Sequence, residues 1–260
     1  MPENSLDELC NLIIGDALLL SMFRVEATPV VCPFKSPPFS VIYSRGYGDC
    51  KQPPSRADSC TDDTRLVLRY QACPDVSGSE ASVEELECLA TWRDSSINYL
   101  VGRLHHKMAT TDEEMYRCFV YEKHDQRYLV AQSGEATCSG MTSALEGSRV
   151  IRLTRVETQH TRCKFPSWVT QHYHWHSLDF RHNYHFSHRN ASLRISSGTN
   201  EVETKLVCHT VVSENSHLAK LVVHVVSGCD GGYKCMTILK RDAHVIQMYH
   251  STLVAHFIRM

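Results

Sequence analysis

The chain has 260 residues, enough for two domains of ordinary size that each bury a core. A formal net charge of −2 with scattered Lys and Arg supplies no field that would gather nucleic acid, and 42% hydrophobic with 22% charged residues excludes a disordered chain. Twelve cysteines stand out: Cys10, Cys32, Cys50, Cys60, Cys73, Cys88, Cys118, Cys138, Cys163, Cys208, Cys229 and Cys235. No pair has the C-x-x-C spacing of structural zinc or thioredoxin-like sites, so the set is expected to form disulfides in an oxidising compartment.

The first element is helical. Ser5 and Glu8 form a capping box, and Leu6, Leu9, Cys10, Ile13, Ala17 and Leu20 recur at helical spacing, predicting an amphipathic helix over 6–22. Asp16 interrupts it, and nothing later reaches the ~18 uninterrupted apolar residues of a membrane span, so no membrane insertion is expected. The opening MPENSLDELC is acidic where a secretory signal is basic, so no signal peptide is visible. Together with the disulfide expectation this suggests a fragment or alternative product whose residues 1–22 are the tail of a preceding domain.

After the helix the hydrophobic period shortens to two. Strands are predicted at 65–73, 97–104, 116–122, 127–132 and 149–156, with a hairpin turn at 123–126. Others follow at 191–195, 201–212, 219–226, 233–240 and 243–249, with Gly, Asn, Ser and Asp between them. The expected fold is all-β: two disulfide-stapled β-sandwich or β-barrel-like domains with a short N-terminal helix, at 23–145 and 146–260. Eight cysteines precede this boundary and four follow it. Both counts are even, so bridges are expected within each domain, with 105 and three possible pairings. Cys229 and Cys235 are expected on one glycine-rich loop.

Catalytic signatures are scarce. There is no G-x-S-x-G, H-E-x-x-H, G-x-x-x-x-G-K-[ST] or D-x-[DN]-x-[DN]-G pattern, no cofactor is expected, and the chain is read as not an enzyme. Cys208 and His209 resemble a nucleophile beside its base, but neighbours on a strand point to opposite faces. Trp92 after Cys88 and Trp168 after Cys163 are expected to pack over a bridge in each core, with a carbohydrate-stacking platform as the alternative.

The stretch TQHYHWHSLDFRHNYHFSH, 170–188, carries six histidines. On a strand His172, His174 and His176 share one face about 6.6 to 6.8 Å apart, leaving Tyr173 and Trp175 for the core. The histidines are expected to face solvent. The competing readings are a metal site built from His172, His174, His182 and His185, with Asp179 as a further donor, and a contact that responds to pH near 6. Asn190-Ala191-Ser192 is an N-glycosylation acceptor.

The runs VVCPFKSPPFSVIYSRGYGDC, SCTDDTRLVLRYQACPD, EELECLATW and YRCFVYE, then CKFPSWV and WHSLDF, resemble the repeated cysteine-rich domains of arthropod secreted and cell-surface proteins, a family built of tandem domains of unknown function. The resemblance spans roughly 23–249. It implies an extracellular or cell-surface, disulfide-bonded, β-rich module with no established activity and leaves the partner of Cys10 open. The expected function is therefore non-catalytic binding or structure, with an unknown protein or glycan partner at the cell surface. The alternatives are a secreted metal-dependent enzyme or metal-binding protein using the cluster from His172 to His188, and a small-ligand carrier with a β-barrel pocket.

Overall fold

The computed structural model describes residues 13, 22–24, 26–34, 38–106, 109–156, 163–198 and 201–254. The expected helix over 6–22, and Cys10 within it, lie outside the described residues apart from Ile13 and Met22, both exposed.

Eight strands close into an antiparallel barrel in sequence order: β1 (Phe39–Ser44), β2 (Asp49–Ser59), β3 (Arg65–Tyr70), β4 (Ser82–Asp94), β5 (Ile97–His105), β6 (Tyr116–His124), β7 (Arg127–Gln132) and β8 (Arg149–Arg155). Because side chains alternate, Phe39, Val41, Leu66, Leu68, Leu86, Leu100, Phe119, Val130, Ile151 and Leu153 meet inside. Gly102 faces this interior because a Cβ there would come within 2.5 Å of Leu86 Cδ1. Phe34 packs edge-on against Tyr121 and Tyr128.

Between these side chains the space open to water is only about 10 Å³, at the lower limit for holding one molecule.

Pro53 and Pro54 have no N–H for the ladder, and the β1–β2 register jumps from Val41↔Ser55 to Tyr43↔Cys50, so the proline segment bulges out. Outside the barrel, Cys118, Val120 and Ala131 pack under Met141 and Ala144 of the β7–β8 loop, which the Cys118–Cys138 bridge ties down. A one-turn helix, α1 (Asp112–Met115), precedes β6 and is closed by a Thr111/Glu114 capping box.

The second unit is a curled antiparallel sheet, again in sequence order: β9 (His174–His176), β10 (His182–Phe186), β11 (Ser192–Ser197), β12 (Val202–Glu214), β13 (Leu218–Ser227), β14 (Asp230–Lys240) and β15 (Ile246–His250). Its buried face carries Phe186, Leu193, Leu206, Leu221, Val223 and Ile238, covered by Phe165 and by Val169 of α2 (Ser167–Thr170). The all-β expectation matches this architecture.

Three expectations are corrected. The boundary at 145/146 falls too early, because β8 pairs with both β7 and β1 and completes the barrel at Arg155. Bridges do not all stay within domains. Cys32–Cys88, Cys50–Cys73 and Cys118–Cys138 staple the barrel and Cys163–Cys208 the sheet, but Cys60–Cys229 joins the two.

Cys229 also does not share a loop with Cys235. It follows Gly228, whose φ of 59° makes the tight β13–β14 turn, while Cys235 is a free thiol within β14. The β2–β3 and β13–β14 turns meet at this joint. Thr61 N donates to Gly228 O at 2.7 Å, Arg69 Nη2 contacts Asp230 at 3.2 Å, and Lys205 Nζ reaches Asp63 at 2.8 Å.

Candidate functional site

Strand parity builds a concave site at one end of the barrel. There Tyr70 closes β3, Gln132 closes β7, Glu84 lies near the start of β4 and Arg149 opens β8, and all four are buried at the inward parity. In an eight-strand barrel β4 and β8 lie opposite each other, so an ion pair between them must cross the interior. Arg149 Nη1 donates to the two Glu84 oxygens at 3.0 and 2.8 Å and lies 3.5 Å from Gln132 Oε1. The guanidinium carbon stands 4.4 Å from the centre of the Tyr70 ring, a cation–π contact.

Burial sets the electrostatics. It works against the Arg149 charge, but Tyr70 and the Glu84 carboxylate hold the pKa above the ordinary arginine value. Burial pushes the Tyr70 phenol up to about 12. Two donors at this level have no hydrogen-bond partner, Arg149 Nε and the Tyr70 hydroxyl. Each unsatisfied buried donor costs about 1–3 kcal/mol.

Above this layer opens a cleft of about 900 Å³, near the upper end of the range of small-molecule sites. Ala81, Val83 and Leu104 form apolar wall, and Arg45, Glu80, His106 and Arg117 stand around it. The layer of Arg149, Glu84, Tyr70 and Gln132 is thus a polar floor between the cleft and the packed interior. None of these four residues was a sequence candidate. The available signal was parity, since Glu84 and Arg149 are charged residues at core-facing positions of apolar strands.

The histidine-rich stretch folds as α2, a turn and the edge hairpin β9–β10. His174 and His185 are directly opposed, with their Nδ1 atoms 3.1 Å apart. The other metal candidates diverge. His182 lies 3.7 Å from Glu203, and His172 packs near Trp175 and His244. Among the described residues no group of three or more His, Cys, Asp or Glu is placed to hold a metal ion, and of His172, His174, His182 and His185 strand pairing brings together only His174 and His185.

Trp175 faces the core and donates from Nε1 to Val169 O at 3.0 Å. Tyr173 does not; it lies exposed against the His188 ring, because β9 begins only at His174.

Partial burial and then the neighbouring His174, Arg194 and His188 charges lower the His185 pKa below its ordinary 6.5. A base depressed on folding adds stability that is present above 6.5 and is lost as pH falls through the lowered folded value. Histidine NMR titration is expected to place His185 below the ordinary 6.5 and to move it back toward that value in His174→Ala.

Asn190 sits in the β10–β11 turn with φ 58°, its N–H donating to Ser187 O and its carbonyl accepting from Phe165 N. Trp92 does not cover a bridge: it is 43% exposed and stacks on its cross-strand partner Tyr99, planes 4° apart. Trp168 packs against the second core, as does Cys163. Cys208 is buried in its bridge while His209 turns to Tyr233 on the other face, as strand alternation requires.

Residues 28–155 match a family model described as Domain of unknown function (DUF7042), and residues 159–257 match one described as Domain of unknown function (DUF7043). Searches of curated proteins and of solved structures found no match.

Proposed function

From a chain that carries a DUF7042 domain followed by a DUF7043 domain, we propose a non-catalytic extracellular module that binds a ligand in the cleft at the barrel mouth. The observation that carries this reading is the cleft of about 900 Å³ on a rigid floor, the Arg149–Glu84 pair held between opposite strands of a stapled barrel. Rigid concavity with a few fixed polar groups suits recognition. The five disulfides favour an oxidising compartment, where Asn190 is a glycan acceptor.

No helix among the described residues is long and apolar enough to cross a membrane. The protein or glycan that the module meets at a cell surface belongs to the same proposal. Non-reducing mass spectrometry on protein from its native source is expected to recover these five bridges, with Cys235 open to alkylation. Finding the ten bridged cysteines as free thiols would overturn the extracellular reading.

A further inference from the structure

Several acceptors around the barrel-mouth cleft are already engaged. Both Glu84 oxygens already accept from Arg149, Glu114 Oε2 accepts from the Thr110 and Thr111 amides, and Ser133 Oγ accepts from Cys118 N. Glu80, at the rim, faces Arg45 at 3.8 Å.

Donors remain. Arg149 is 6% exposed and its Nε has no partner, and Tyr70 is 2% exposed with a hydroxyl in the same position. Among the described residues Arg117 hydrogen-bonds only to carbonyl oxygens, those of Glu113 and Tyr116, and forms no ion pair. Of the four arginines in the lining, Arg45 faces Glu80, Arg149 holds Glu84 and Arg69 pairs with Asp58 and Asp230, which leaves Arg117 without a carboxylate among the described residues. A complementary ligand therefore brings acceptors and one negative charge.

The walls set the rest of the ligand. Leu104, 3% exposed, lines the inner part of the cleft, and Ala81 with Val83, which is 54% exposed beside Arg69, lines its outer edge, so apolar surface that water covers poorly runs outward from the floor. A guanidinium fork suits a planar, two-oxygen anion. We propose that the cleft binds a carboxylate carried on an apolar stem, with the anion at Arg117 over the Arg149 and Tyr70 donors and the stem along Ala81, Val83 and Leu104. This rests on the cleft being the binding site, and it names the class of ligand.

Three probes with the same stem length, octanoate, octylamine and octan-1-ol, separate the two ideas when titrated into the full chain and followed by calorimetry and amide shifts. Octanoate is expected to shift amides of the cleft and to bind at least ten-fold more tightly than either other probe. Arg117→Met is expected to weaken octanoate about five-fold or more without changing the melting temperature. Arg152→Met removes the same charge from the outer face of β8, where Arg152 pairs with Asp49, and is expected to leave octanoate binding unchanged.

If octylamine or octan-1-ol shifts the same amides as strongly as octanoate, the cleft binds but the carboxylate is overturned. Equal weakening by Arg117→Met and Arg152→Met overturns the placement at Arg117, leaving only a bulk charge effect. If none of the three probes shifts the cleft amides, the carboxylate and the cleft as binding site fall together.

Discussion

The double substitution Cys60→Ala with Cys229→Ala is expected to cost about 4–5 kcal/mol and to split one unfolding transition into two. The bridge closes a separation of 169 residues, of which Cys118–Cys138 and Cys163–Cys208 bypass 20 and 45. The remaining loop, of roughly a hundred residues, gives the quoted magnitude in the chain-entropy account. What is left at the joint is weak. The Arg69–Asp230 and Lys205–Asp63 pairs leave their aspartates 84% and 71% exposed, and such pairs contribute at most about 1 kcal/mol each. Differential scanning calorimetry decides it: a single transition at an unchanged temperature would show that the joint holds without its bridge.

The second large effect lies at the floor of the cleft. Arg149→Met alone is expected to destabilise the barrel by about 3–5 kcal/mol, because it strands the Glu84 carboxylate in a site where the side chain is 9% exposed. Glu84→Leu added to Arg149→Met removes the stranded charge and is expected to recover most of that loss. Urea denaturation of the two singles and the double gives the coupling energy. Losses that simply add in the double variant would mean that the pair does not act as a unit. The same cycle separates scaffold from site, since Arg117→Met leaves this pair intact.

Much of the fold was legible because alternation survives wherever one face of a strand is buried. The pattern over 116–132 predicts the β6–β7 hairpin, and Asp125 takes the left-handed turn conformation between the two strands. Elsewhere the local signal is broken. β4 was missed because Glu84, Glu85 and Glu87 interrupt its apolar pattern, yet Glu84 is satisfied by Arg149 from across the barrel, and Glu85 and Glu87 by Arg65 on β3. β2 was missed because its prolines argue against a strand, and the bulge that accommodates them depends on pairing with β1. The histidine cluster looked like one site because its members are close in sequence, but strand register lets only His174 and His185 meet.

Composition and periodicity, which depend only on neighbours along the chain, were sufficient to determine an all-β protein stapled by disulfides, with most strands near their observed limits. Three features were decided only in the tertiary structure: the closure of β8 onto β1, the bridge from Cys60 to Cys229, and the Arg149–Glu84 floor beneath the cleft. Each joins residues 65 or more positions apart. Such contacts follow from how many strands a twisted sheet takes to close and from which turns then meet, a property of the whole barrel that no local stretch of sequence carries.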